Sequence, residues 1–493
     1  MKKLLVVLLS LGLIVAFGAT ASAADVKFGG SYYVVGMYEN NPSLAKDTGY
    51  SHAMIYQRGR LNPVFVVAEG LTFSSRLDFL EKHWGSTLMY RPGTAGGADD
   101  QTASRRQNGY ASNGTANTSN NPKVQENIEW ERAWVTFMTG IGKFDVGYQN
   151  VDDWGTDFGD FSNTRPKVLF TTQLGPVTIG AAYEKMYEND IASGINVSGN
   201  YTDADKDTYA LFGIYNAKGI EAGLLYKYYL LNSLRPQITV YAAGATTPTT
   251  LAGTPGARQA FSLISPYFKA TFGPVYLEGE AQYYFGKWAQ YEQPTSGTVA
   301  LPQDIDLNAW GAYLKAKVNV GPAYFGALYA WSQGNDYSDA SKTTANPGGA
   351  GNNFSTVAML LMNQWTDIWN NGNSLASAVP GGVTSAKYNC VIYSAFAGFN
   401  PTPKLNLEAN LIYATVDKKN QSATTAALSD QLGTEIDLKA TYKIYDNLTY
   451  MLGAAYLWTG DYYRNFGATG TFSTTTREVD NDYMLMNQLT LSF

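Results

Sequence analysis

The segment from Glu435 to Trp458 restricts the fold more than any other stretch of this chain. On its first arm Ile436, Leu438, Ala440, Tyr442 and Ile444 alternate with Glu435, Asp437, Lys439, Thr441 and Lys443. Successive side chains of a strand point to opposite faces, so one face is apolar and the other charged or polar. After a tight turn at Asp446-Asn447, Leu448, Tyr450, Leu452, Ala454, Tyr456 and Trp458 share one face of the second arm. Thr449, Met451, Gly453, Ala455 and Thr459 take the other, with Leu457 among them.

The unit recurs. Strands flank Ala68-Glu69-Gly70, Gly140-Ile141-Gly142, Gly175-Pro176, Ala217-Lys218-Gly219, Gly273-Pro274, Gly321-Pro322, Pro401-Thr402-Pro403 and Asp446-Asn447, which makes eight short-turn hairpins. An opening strand over Val26 to Tyr38 and a closing strand over Tyr483 to Phe493 bring the count to eighteen. Sixteen is the alternative, because Thr208 to Tyr215 and Ile128 to Phe137 alternate poorly. Elsewhere the pattern is clear. Leu405, Leu407, Ala409, Leu411 and Tyr413 oppose Asn406, Glu408 and Asn410, and Trp310, Ala312, Leu314, Ala316 and Val318 oppose Tyr313, Lys315, Lys317 and Asn319. Eight such hairpins with ionised residues on the second face fit poorly into one sandwich. Closed on themselves they leave no edge and enclose the charges in a wet lumen. The expected fold is all-β: a transmembrane antiparallel β-barrel of 16–18 strands, 18 favoured, with short turns at one end and long Gly-, Asn-, Ser-, Thr- and Asp-rich loops at the other. A large soluble barrel or solenoid is the competing fold.

Residues 1–23 read as a signal peptide ahead of a barrel over 24–493. Lys2 and Lys3 precede the apolar run Leu4 to Phe17, and Ala21-Ser22-Ala23 supplies a small-residue cleavage site. Removing the two lysines takes the formal charge of −6 to −8. Beyond that run nothing is long and apolar enough for a membrane helix, and the mean hydropathy is −0.21. A barrel has the same low value, because half of each strand faces water. The 36 Tyr and 10 Trp suit two membrane–water interfaces, since both rings have an apolar body and a polar tip. One cysteine, Cys390, excludes an internal disulfide. The absence of a C-x-x-C-H motif excludes covalently attached haem, and His52 and His83 leave little for zinc or general-base chemistry. No cofactor and no metal are expected, and neither a Ser-His-Asp set, a phosphate loop nor a nucleic-acid-binding face is discernible, so no enzyme is expected.

The closing strand carries a family resemblance. Tyr483, Leu485, Leu489, Leu491 and terminal Phe493 alternate with Met484, Met486, Gln488, Thr490 and Ser492, with Asn487 alone breaking the apolar side. A chain ending in Phe after such a strand resembles Gram-negative outer-membrane proteins, and its architecture is similar to that of general porins. The resemblance implies that Phe493 is an assembly signal read by the barrel-insertion machinery. It also implies that the short turns are periplasmic, that outer-membrane lipid surrounds the barrel, and that a homotrimer is an admissible assembly. The implied function is a passive, water-filled channel for small hydrophilic solutes or ions. The alternative is a scaffold barrel that sheathes a multihaem cytochrome conduit, which a wide lumen without a constricting loop would favour.

Four places are candidates for function. The loop after the fifth strand, Val151 to Phe161, carries Asp152, Asp153, Asp157 and Asp160. Its Asp157-Phe158-Gly159-Asp160 run is similar to the tip of the pore-narrowing porin loop, so it lines a constriction or stays outside as a solvated loop. A basic stripe of Arg58, Arg60, Arg76, Arg132, Arg165 and Lys167 is placed on one lumen wall, because an arginine facing lipid costs about 2–4 kcal/mol at mid-bilayer. Glu278, Glu280, Glu408, Glu435 and Asp437 are expected on opposite walls, which would set a transverse field across the lumen. Asn353 to Trp369 places Phe354, Val357, Ala358, Leu361, Trp365, Ile368 and Trp369 at helical spacing, with Asn353 as the cap. This predicts an amphipathic helix at the outer side, over the mouth, in the lumen or packed on neighbouring loops. Finally, Asp203-Ala204-Asp205-Lys206-Asp207 begins like a calcium loop but lacks the glycine and the distal glutamate that such a loop needs.

Overall fold

The computed structural model describes residues 25–46, 51–84, 128–188, 205–232, 256–292, 300–336, 338–362, 388–419, 421–422, 425–426, 429–465 and 476–493. The expected signal peptide lies outside them, as do residues 203–204 and 363–369. Eighteen long strands run in chain order. The first nine are β1 (Asp25–Glu39), β2 (His52–Ala68), β3 (Leu71–His83), β4 (Glu129–Thr139), β5 (Gly142–Val151), β6 (Asn163–Leu174), β7 (Val177–Tyr187), β8 (Lys206–Ala217) and β9 (Ile220–Leu231). The second nine are β10 (Gly256–Phe272), β11 (Val275–Glu292), β12 (Ile305–Val320), β13 (Ala323–Ser332), β14 (Cys390–Thr402), β15 (Leu405–Val416), β16 (Gln431–Tyr445), β17 (Leu448–Thr459) and β18 (Asp482–Ser492).

Each strand pairs antiparallel with the next, and β18 returns to β1, with Ser31 opposite Ser492 and Glu39 opposite Met484. The sheet is therefore a closed transmembrane β-barrel of eighteen strands, the higher of the two counts that the sequence allowed. The eight short turns fall where the sequence puts them, with one shift. β14 runs on through Thr402, whose Oγ1 accepts the amides of Lys404 (3.3 Å) and Leu405 (3.2 Å) and moves that turn to Pro403-Lys404. The two poorly alternating segments are full members, β4 and β8. In β8 the irregularity has a cause: Ala210 and Phe212 face the lumen but lie in an apolar patch beneath Trp154, so both faces are apolar.

The apolar stripes face outward. Leu438 is 54% exposed and Leu452 53%, whereas Glu435 and Asp437, on the other face of β16, are fully buried inside. Aromatic side chains mark two levels on the exterior. Near the short turns Phe137, Phe144 and Phe170 form a row, with centroids 5.3 and 4.9 Å apart. Toward the long loops come Tyr183–Tyr209, Tyr283–Trp310, Tyr329–Tyr393 and Tyr456–Trp458. Leucine and valine fill the band between, which is the arrangement of a barrel solvated by lipid. Among the described residues no helix is long and apolar enough to cross a membrane; the crossing is made by strands.

The lumen face is not uniformly polar. Toward the long-loop end Val35, Met37, Ile392, Ile412, Ala414, Leu457, Met484 and Met486 point inward, yet they are buried. Residues 350–362 fold down upon them and complete a hydrophobic core inside the barrel.

Candidate functional site

Two inner segments narrow the lumen. The first is the loop over 152–162, which leaves β5 and reaches β10–β12. Trp154 sets its ring edge-on to Tyr267 at 5.1 Å, and its Nε1 donates to the Ser265 carbonyl at 3.0 Å. The amide and hydroxyl of Thr156 both donate to Glu280 at 2.9 Å, and Ser265 Oγ donates to the same carboxylate at 3.0 Å. Phe158, wholly buried, stacks on Tyr313 at 5.8 Å and meets Phe354 edge-on. Gly159 (φ +82°) passes so close to the wall that a Cβ there would stand 1.8 Å from Gln282 Nε2. Only glycine tolerates both that angle and that approach. Of the two places the sequence left open for this loop, the structure has the inner one.

The second inner segment continues from the first. Gly159 N donates to Ala350 O at 2.7 Å, and Asn353 N to Asp160 O at 3.0 Å. The chain then crosses to β15 and β16, where Asn410 Nδ2 donates to the Val357 carbonyl at 2.6 Å. Glu435 accepts the amides of Leu360 and Leu361 at 2.7 Å, and Asp437 accepts that of Met359 at 3.1 Å. This corrects the expected helix. In the described part of that stretch, 353–362, only a 3₁₀ turn forms, Asn353–Val357, and the backbone is extended again at Ala358. Asn353 is not the cap: it is the first residue of the turn, the cap position falls on Asn352 without a side-chain cap bond, and Asn353 Nδ2 donates to Ser162 Oγ at 2.8 Å. The periodic apolar residues Phe354, Ala358 and Leu361 are buried as expected, but against the inner wall of the barrel. Carboxylates on the strands here take the place of the next helical turn as acceptors for the segment's amides.

The carboxylates expected on a wet wall thus divide. Glu280, Glu435 and Asp437 are buried and serve as anchors for the inner segments. Glu278 accepts from Tyr313 (2.6 Å) and Tyr276 (2.7 Å) and pairs with Lys315 (3.2 Å), and Glu408 accepts from Tyr324 and lies 3.8 Å from Lys439. A hydrogen bond of this kind is worth about 0.5–1.5 kcal/mol net, and a buried amide left bare costs about 1–3 kcal/mol. Replacing Glu435 with alanine removes two such bonds at once. The expected result is a larger, noisier single-channel current with a barrel that still resists detergent; an unchanged trace would show that the segment is held by its apolar contacts alone.

The basic side chains gather on the wall from β2 to β6. Register places Arg60 opposite Asp78 and Arg76 opposite Arg132. Asp78, almost fully buried, is gripped by Arg60 at 2.8 Å and by Arg76 at 3.1 Å, and Arg58 lies 3.5 Å from Glu81. Arg132 has no carboxylate partner among the described residues. It donates to Asn150 Oδ1 (2.7 Å), Ser162 O and Thr164 Oγ1 (both 3.3 Å), so it ties the wall to the root of the first inner segment. Lys167 likewise donates to the Asn150 carbonyl.

The loop aspartates do not form a row against these arginines. Asp152 joins Arg165 (2.6 Å) and Lys227 (3.0 Å), and Lys227 reaches on to Glu184 at 2.7 Å. Burial alone would raise the Asp152 carboxyl, but Lys227 and Arg165 outweigh it and hold it at about 2. Asp153 is spent on Asn150 and on Ser162, whose amide and hydroxyl donate at 2.6 and 2.7 Å. Asp157 is exposed at the far side, where Glu278, Lys315 and Lys269 are the charges that act on it. Asp160 is pushed up to about 9 by burial, with Asp153 and Glu280 adding to the effect against the opposing bond from the Trp154 amide. It is a neutral acid at pH 7.

A cavity of about 610 Å³ lies between the first inner segment and the wall, bordered by Arg165, Lys167, Glu184, Lys227, Trp154 and Tyr229. Lys227, Glu184 and Glu81 were missed in the sequence, although each occupies an inward position in a strand of alternating character. Asp205 and Asp207 of the calcium-like stretch both pair with Lys185.

No protein-family model matches the chain, and no curated sequence does. Among solved structures it is similar to OccK8 (OprE) of Pseudomonas aeruginosa, with 12% identity over 95% of this chain and 98% of that one at a TM-score of 0.46. OpdK of the same organism, solved with vanillate, aligns with 8% identity over 95% and 98% at a TM-score of 0.45. An anion-selective porin from Comamonas acidovorans aligns with 12% identity over 95% and 100% at 0.40. The barrel described above rests on this chain's own strand register.

Proposed function

We propose that the protein is an outer-membrane porin, a passive water-filled channel for small hydrophilic solutes or ions. One observation carries this reading: two inner segments are built into the lumen of an eighteen-strand barrel whose wall from β2 to β6 gathers arginines. Barrels of this size enclose an aqueous channel unless it is filled. Among the described residues the inner segments run from the end of β5 across to β10–β12 and on to β15 and β16. Arg58, Arg60, Arg76, Arg132, Arg165 and Lys167 would border the passage, with Asp153 and Asp157 on the inner segment. Glu280, Glu435 and Asp437 would act on it through the segments they hold. The sheath for a cytochrome needs an open bore, and the inner segments occupy that space.

Conductance in a planar bilayer is the direct test. Purified barrel should give discrete, ohmic steps; a heat-modifiable, correctly folded protein that never conducts would overturn the reading. A second test concerns export. Phe493 pairs through its backbone with Gly30 (2.8 and 3.0 Å) at the seam. Deleting it is expected to leave the chain periplasmic and protease-sensitive, and normal surface assembly without it would remove Phe493 from the assembly signal.

A further inference from the structure

Seven of the chain's 11 methionines lie in, or pack against, the apolar core inside the barrel. Their arrangement is more specific than their number. Strand register sets Met54 of β2 opposite Met37 of β1, Met37 opposite Met486 of β18, and Met486 opposite Gly453 of β17. Directly opposed residues share a face and stand about 4.5–5.5 Å apart at Cα, so three thioethers form a row that ends at a glycine. Two more close on that glycine. The Sδ atoms of Met359, from the second inner segment, and Met451 lie 3.3 and 3.4 Å from the point a Gly453 Cβ would occupy. A side chain at 453 would also strike the Met359 methyl at 2.9 Å.

Methionine is an adaptable core filler, and filling accounts for the buried members. It does not by itself account for two thioether sulfurs that meet at one glycine position, with a third methionine opposite that glycine in register. Thioethers favour soft monovalent metals over Na⁺, K⁺ or Mg²⁺. Met54 and Met451 are only half-buried, which opens the row to the lumen.

We propose that Met359, Met451 and Met486, around Gly453, form a binding site for a soft monovalent cation, Cu(I) or Ag(I), with Met37 and Met54 as its approach. The site is independent of solute passage and stands or falls without it.

The probe is Ag(I) as its nitrate, in chloride-free buffer, titrated calorimetrically into the complete folded barrel. The background is Cys390→Ser, which removes the buried thiol that would otherwise compete. The expected result is one Ag(I) per chain, with shifts of the methionine methyl resonances confined to this cluster. Met359→Leu alone should weaken binding about tenfold, and Met359→Leu, Met451→Leu and Met486→Leu together by a hundredfold or more. These swaps nearly conserve volume, and heat-modifiability reports whether the triple variant has folded; if it has not, the single variant decides. No Ag(I) binding in the Cys390→Ser barrel, or equal affinity in Met359→Leu, would overturn the proposal and leave the methionines as packing alone.

Discussion

Replacing Leu452 with arginine is expected to abolish the heat-modifiable, detergent-resistant form, while Thr449→Arg leaves it intact. Both residues belong to β17 and are three apart, so they differ in face. Leu452 is 53% exposed on the outer surface, in the band between the aromatic levels. A guanidinium there costs about 2–4 kcal/mol at mid-bilayer, a sizeable part of the margin that keeps a domain folded. Thr449 faces the lumen opposite Lys443 and Thr490, where water solvates an added charge. Electrophoresis with and without heating separates the two outcomes. Equal tolerance at both positions would mean that the apolar faces, or the membrane itself, have been assigned wrongly.

Neutralising Arg58, Arg60 and Arg76 together to glutamine should move the reversal potential in a KCl gradient toward cation preference, most strongly at low salt. Among the described residues the ion pairs of these arginines go to Asp78 and Glu81, so their loss leaves those carboxylates to set the charge of this stretch of wall. Charges in a pore act over about a Debye length, roughly 8 Å at physiological salt, so the shift should shrink as salt rises. Neutralising Arg132 and Lys167, whose partners are uncharged oxygens, should move the potential the same way with less disturbance to the wall. Asp153→Asn with Asp157→Asn should move it oppositely. Adding Asp160→Asn should change nothing further at pH 7, because that acid is already neutral. If neither the arginine set nor the aspartate pair moves the potential while conductance stays normal, these residues are wet surface and selectivity is set elsewhere.

Most of the barrel could be read in the sequence because its rules are local. Period-two alternation and a short turn are properties of about twenty consecutive residues, and all eight hairpins followed from them. The interior was harder to read for a physical reason. An inward carboxylate that meets water and one that holds a backbone amide have the same sequence context, so Glu280 and Glu435 looked like wall charges. A signal for the covered interior does exist. Ile412-Tyr413-Ala414 and Met484-Leu485-Met486 are apolar on both faces, which suits strands buried on both sides. The run from Phe354 to Leu361 gave the correct buried residues and the wrong conformation, because apolar spacing alone does not distinguish a helix from a short segment pinned at several points. The cluster of Asp152, Lys227 and Glu184 joins three distant parts of the chain, and only the closed barrel brings them together.

The seam between β1 and β18 has a consequence for how the chain reaches this state. Seventeen of the eighteen strand pairings join neighbours in sequence and can form early, one hairpin at a time. The last joins the two ends: Asn41 N meets Asp482 Oδ1 across a separation of 441 residues. Bringing such distant ends together costs about 5 kcal/mol of chain entropy on the logarithmic scaling of loop closure, repaid only when the seam zips. Contacts of this range slow folding, so the rate of barrel formation should be governed by one late encounter. The anchors for the inner segments become useful only after that encounter, which makes the lumen the last part of the molecule to acquire its shape.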